Sequence, residues 1–225
     1  MPYRNEVLAP EQIYHIFNRG VASAPIFLSP KNCSRFLDLV DYYHFSNTPC
    51  SFSRLLNLPR EERESLLIRL KKENALHVEV LAYCLMPNHF HFLLKQVTDN
   101  GISTFMRNLQ NSYVKYLNFK SKRAGPLFQS MFKAIRIETD EQLLHVSRYI
   151  HLNPSTAYIL ESENLEDYRW SSYGIYLNKD SVDQSFVNPE FILDFFKSGK
   201  EYGKFVVDQA EYQRELDKIK HLIFE

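Results

Sequence analysis

The stretch AYCLMPNHFHFLLKQ, residues 82–96, sets two histidines one residue apart inside an apolar run. Its halves read as two strands joined at Pro87-Asn88, a pair suited to a tight turn. On a strand, residues i and i+2 point to the same face. His89 and His91 therefore project together, with Phe90 and Phe92 behind them. Two imidazoles side by side form a ready pair of ligands for a divalent cation. The same pattern also suits two histidines that merely hydrogen-bond at a strand start. A histidine-triad hydrolase would want a third histidine where Leu93 stands, and no HExxH protease motif occurs.

Outward from this hairpin, the elements follow in order. QIYHIFNRG, ended by Gly20, alternates as a strand. SPKNCSRFLDLVDYYHF has a Ser29 cap and Pro30 at the first helical position, so it reads as a helix. LPREERESLLIRLKKEN reads as a second helix, acidic early and basic late. GISTFMRNLQNSYVKYLNFKS is a helix, and GPLFQSMFKAIRIET a strand or hairpin. TDEQLLHVSRYIHLNP is a helix with Thr139 or Asp140 as cap and Pro154 as its expected stop. Without the charged second helix, this is the split βαβ order of a ferredoxin-like antiparallel sheet, α+β in class, with helices on one face. The predicted division is a sheet domain over residues 1–173 and a helical C-terminal extension over 174–225, with LNKDSVDQS as the junction.

With 225 residues, 44% hydrophobic and 24% charged, the composition is that of a soluble globular chain. No apolar run is long enough to span a bilayer, so no membrane partner is expected. The polar start, MPYRNEVLAPEQ, has no signal-peptide core. Three scattered cysteines, Cys33, Cys50 and Cys84, suit a reducing, cytoplasmic setting. Net charge is zero, but its distribution is uneven. Residues 101–137 contain no acid and seven bases: Arg107, Lys115, Lys120, Lys122, Arg123, Lys133 and Arg136. From residue 161 onward, fourteen acids face eight bases. A basic middle suits one local anionic partner, and equally a solvated helix face.

Two histidines leave a cation under-coordinated. In SRYIHLNP, Tyr149 and Asn153 are four apart and share a helix face. An asparagine carbonyl is a hard oxygen donor suited to Mg²⁺ or Mn²⁺, and a tyrosine one turn away would sit close to the ion. A helix cap and a core aromatic are the plainer readings of those residues. His145 and His151, on the same helix, read as structural.

The combination of YHIFNRG, AYCLMPNHFHFLLK, RYIHLNPSTAYI and DYRWSSY resembles the single-tyrosine transposases of the His-hydrophobe-His nuclease superfamily. The branch it resembles most is the one associated with repetitive extragenic palindromes, and the likeness covers roughly residues 11–173. The resemblance implies that His89, His91 and Asn153 hold a divalent metal, Mg²⁺ or Mn²⁺, and that Tyr149 is the catalytic nucleophile. It implies cleavage of single-stranded DNA beside a hairpin through a 5′-phosphotyrosine link, followed by rejoining. The absence of a P-loop motif agrees with chemistry that needs no nucleotide triphosphate. Arg107, Lys115, Lys120, Lys122, Arg123, Lys133 and Arg136 would then touch DNA phosphates, with Asn18 and Arg19 at the end of the first strand. Such a protein would work in the cytoplasm beside the nucleoid, as a monomer or a homodimer. The alternative readings are a hairpin-binding regulator of the same fold without turnover, and an unrelated metal-dependent phosphodiesterase. Tyr113 and Tyr116 are the runner-up nucleophiles.

Overall fold

The computed structural model describes residues 6–177, 186–208 and 210. Four strands form one sheet in the order β2-β3-β1-β4, where β1 is Ile13–Arg19, β2 Val78–Met86, β3 His89–Gln96 and β4 Lys133–Ile137. Every neighbouring pair is antiparallel. Helix α1 (Pro30–Tyr43) connects β1 to β2, and α4 (Gly101–Lys120) connects β3 to β4. This is the expected ferredoxin-like α+β arrangement. The connection from α1 to β2 also carries a short helix, α2 (Phe52–Leu56), and α3 (Arg60–Glu73). After β4 come α5 (Asp140–Thr156), α6 (Tyr173–Tyr176), α7 (Glu190–Leu193) and α8 (Gly199–Val207).

The side-chain alternation of β3 fixes the two layers. Phe90 and Phe92 meet Phe36 of α1, and Phe92 meets Phe105 of α4. The crossover helices thus cover one face, as expected. Helix α5 packs over β2 and β3 on the other, so the central strands are buried on both sides. The outer edge of β2 is closed as well: Leu85 N donates to Trp170 O, Ser172 N to Tyr83 O, and Asn188 N to Val80 O. At the opposite edge, β4 remains largely exposed and carries Lys133 and Arg136, charges that discourage edge-to-edge association.

The helix starts follow their cap residues. Ser29 accepts from Asn32 N ahead of Pro30. Thr139 accepts from Gln142 N, with Asp140 and Glu141 in the first turn of α5. Pro154 does not stop α5, which runs to Thr156. A proline this close to a helix end removes only one ladder bond. Ala157 N then donates to Asn153 O and Ile159 N to Pro154 O, which closes the terminus. Gly20 is required by a close approach: a Cβ there would lie 2.3 Å from Ala24 O. The junction LNKDSVDQS, apart from Leu177, and the part of the predicted helical extension beyond residue 208, apart from residue 210, lie outside the described residues. No described helix is long and apolar enough to cross a membrane.

Candidate active site

The tight turn at Pro87-Asn88 starts β3 with His89, and the strand period then brings His91 to the same face. Their rings lie 5.0 Å apart and nearly perpendicular. Each imidazole is held through Nδ1. His89 Nδ1 is 2.6 Å from Asn88 Oδ1, and His91 Nδ1 is 2.8 Å from His15 Nε2. Fixing Nδ1 in both rings leaves Nε2 as the nitrogen for a ligand. Metal-binding histidines are oriented in the same way, through the other ring nitrogen.

Helix α5 brings the phenol. The Tyr149 ring stands edge-on to His91 at 5.5 Å and to His15 at 5.9 Å. One turn on, Asn153 Nδ2 donates to Tyr149 O over 2.9 Å. With its amide nitrogen so engaged, Oδ1 is the end left to accept or ligate. The Asn153 side chain also interacts with His89. The four side chains singled out in the sequence, His89, His91, Tyr149 and Asn153, therefore meet across the sheet–helix interface.

The electrostatics favour neutral imidazoles. Burial lowers His15 from 6.5 to about 4. His89 is lowered to about 4, chiefly by burial and then by the Arg19 charge, while the interaction with Asn153 works the other way. His91 falls well below its ordinary value, through burial and then the neighbouring His15, His89 and Arg19. A neutral imidazole is the form that ligates a metal. Among the described residues, no three His, Cys, Asp or Glu side chains are arranged to hold an ion. The donor set here is of a different kind: Nε2 of His89, Nε2 of His91 and Oδ1 of Asn153. Two imidazoles and an amide oxygen suit a divalent cation of borderline to hard character.

His89, His91 and Tyr149 open onto a pocket of about 330 Å³ whose wall also includes Phe17, Asn18, Arg19, Gln129 and Lys133. Asn18 is pinned there, accepting from Arg19 N at 2.8 Å and donating to Gln129 O at 3.3 Å. The predicted DNA contacts do not all gather at this pocket. Lys133 and Arg19 line it. Lys120 bonds Asn32 Oδ1 at 2.6 Å, and Arg123 donates to Pro126 O at 3.0 Å in the segment leading back to it. Lys122 lies between them, in a left-handed backbone conformation. Arg136 bonds Gln12 Oε1 at 2.7 Å, on the sheet face opposite Lys133. Lys115 lines a different hollow, between α1, α2 and α4. Arg107 acts on His77, at the far end of the sheet, and is not brought to the site.

Tyr113 is fully buried and donates to Ile26 O, so it belongs to the core. Tyr116 faces the α1–α2–α4 hollow. His145 pairs with Arg148. His151 is fully buried, with Nδ1 2.6 Å from Tyr202 Oη and Nε2 2.8 Å from Ser172 Oγ. Tyr202 also donates to Ser147 Oγ, so α8 and the β2 edge together hold α5 in place. His15 is a site residue that the sequence pattern marks only as part of a strand. Its one signal is the alternation in YHIFNRG, which cannot show the strand it pairs with.

The family model described as "Transposase IS200 like" matches residues 41–153, half of the chain, a span that contains His89, His91, Tyr149 and Asn153. None of the curated proteins matches. Among solved structures, one described as "Structure of the REP associates tyrosine transposase bound to a REP hairpin" shares the fold, with a TM-score of 0.53 at 12% identity, covering 84% of this chain and 98% of that one.

Proposed function

The chain belongs to the IS200-like transposase family, and from that premise we propose that it cleaves and rejoins single-stranded DNA beside hairpins, with Tyr149 as nucleophile. The observation that carries this reading is the edge-on contact of Tyr149 with His91, 5.5 Å between ring centroids, at a neutral two-imidazole, one-amide donor set. The fold shared with a hairpin-bound transposase supports a hairpin-bearing partner of the repetitive-palindrome kind.

In this reading the deprotonated Tyr149 oxygen attacks a backbone phosphorus. The Tyr149 O–P bond forms as the bond from phosphorus to the 3′ oxygen of the preceding nucleotide breaks. That oxygen takes up a proton and leaves as a 3′-hydroxyl, while the 5′ phosphate stays on the protein. Attack by a 3′-hydroxyl reverses the step and frees the phenol, so no nucleotide triphosphate is needed. A divalent ion, Mg²⁺ or Mn²⁺, held by His89, His91 and Asn153 would polarise the phosphate and stabilise the charge of the displacement. Arg19 and Lys133, at the pocket wall, bind the phosphates on either side of the cut. Because Tyr149 of the same chain stands beside the histidines, this reading needs no second subunit to complete the site.

The test is a denaturing gel of the full chain with a labelled hairpin-bearing single strand and Mg²⁺ or Mn²⁺. A covalent protein–DNA band is expected. Tyr149→Phe should abolish it while hairpin affinity stays within about twofold. A band that survives in Tyr149→Phe would reassign the nucleophile. Binding without any band, under either metal, would favour a hairpin-binding regulator. Cleavage without a protein-linked product would point to a hydrolytic phosphodiesterase.

A further inference from the structure

On the opposite face of the sheet from the histidines, α1, α2 and α4 enclose a hollow of about 410 Å³. Its wall sets Leu39, Phe52, Tyr116 and Phe119 beside the cations Arg35 and Lys115, and none of the described residues lining it is acidic. The Arg35 guanidinium lies 5.2 Å from the Phe52 centroid and 4.9 Å from that of Tyr116. Phe119, one turn after Lys115, is 90% exposed, so its ring contributes almost nothing to the core. Hydroxyls and an amide from Ser51, Ser53, Asn57 and Ser112 add hydrogen-bonding groups. Helix α2 supplies part of this wall and is no part of the split βαβ frame, so the hollow belongs to the long connection after α1.

The hollow and the histidine pocket are joined by a basic segment. Helix α4 ends at Lys120, and Lys122 and Arg123 follow. The chain then runs along the end of β1, where Val21 N donates to Leu127 O and Gln129 N to Arg19 O. It reaches the histidine pocket at Gln129 and Lys133. Rings, a guanidinium and edge-reading polar groups fit a nucleobase, and the cations fit the phosphate chain that carries it. An acid-free wall gives a cationic partner nothing to pair with.

We propose that this hollow takes a base of single-stranded DNA, stacked on Phe119 and Tyr116, with the strand following the 120–133 segment to the histidine pocket. The inference rests on the proposed action on single-stranded DNA and adds where the uncut flank is held.

The test uses the full chain with a DNA hairpin carrying an oligothymidine flank, and the same hairpin without it. One thymine at a time is replaced by 5-iodouracil, which crosslinks under long-wavelength light to an aromatic ring it touches. Crosslinks are expected at Phe119 or Tyr116. Phe119→Ala should weaken binding of the flanked hairpin about tenfold, the scale of one base–aromatic stack, and leave the blunt hairpin within about twofold. Because the ring is exposed, the variant's melting temperature should match the wild type. Crosslinks confined to other segments, or a loss under twofold, would overturn the proposal. So would a change in oligomeric state without a change in DNA affinity, which would make the hollow a protein interface. A wild-type covalent adduct with an indifferent Phe119→Ala sinks only this site. Crosslinking at Phe119 with no adduct sinks only the cleavage reading. No binding of the flanked hairpin sinks both.

Discussion

His15 Nε2 lies 2.8 Å from His91 Nδ1, across the β1–β3 pairing. For His91 to offer the lone pair of Nε2, its Nδ1 carries the proton and His15 accepts it. His15→Phe keeps a ring but removes the acceptor. Mn²⁺ affinity, read by electron paramagnetic resonance, should fall about 10- to 100-fold, the usual cost of losing such an orienting partner. His15→Gln should recover part of it. Unchanged Mn²⁺ binding in His15→Phe would reduce the bond to simple packing.

Asn153 joins two jobs, since its amide nitrogen caps Tyr149 O and its oxygen is left to the site. Asn153→Ala should slow adduct formation at least about tenfold, and cost roughly 1 kcal/mol of stability from the lost hydrogen bond. Asn153→Asp places a carboxylate among the donors and should tighten Mg²⁺ binding in the DNA-free protein. An adduct rate in Asn153→Ala equal to the wild type would remove Asn153 from the ligand set.

Lys133 lines the histidine pocket, whereas Arg107 acts on His77 at the other end of the sheet. Lys133→Ala should reduce the salt dependence of DNA affinity by about one unit of slope. Arg107→Ala should leave the slope unchanged. Titrations of affinity against NaCl decide the matter, and equal slopes for the two variants would contradict this division.

Acid should destabilise the fold. Burial lowers His151 from 6.5 to about 3, and His15 and His89 to about 4. The unfolded chain therefore takes up protons first as pH falls, so stability present above about 6.5 is lost progressively toward 4. Melting temperatures recorded with chelator between pH 7.5 and 4.5 should drop. His151→Gln, unable to charge, should show a shallower dependence. A flat profile in the wild type would show that these rings titrate normally.

Local spacing made much of the site readable. The i, i+2 rule paired His89 with His91, and the i, i+4 rule paired Tyr149 with Asn153. Their meeting depended on α5 covering the histidine face, which no local pattern specifies. His15 was illegible for the same reason, because its role comes from strand order and register. Arg107 shares the acid-free run of the other cations, and nothing local in the sequence sets it apart from them. Yet α4 is twenty residues, about 30 Å, long, so its two ends serve opposite ends of the sheet. Helix α2, FSRLL, is too short to show a period.

The tie from His151 and Ser147 to Tyr202 spans more than fifty residues of chain. On a ribosome the strands and the tyrosine emerge early, but α5 gains these partners only after Tyr202 has been made. A nascent chain halted before that point would carry His89, His91 and Tyr149 and still lack these bonds between α5 and α8. Helix α5 therefore gains its full set of partners only once the chain has been made as far as Tyr202.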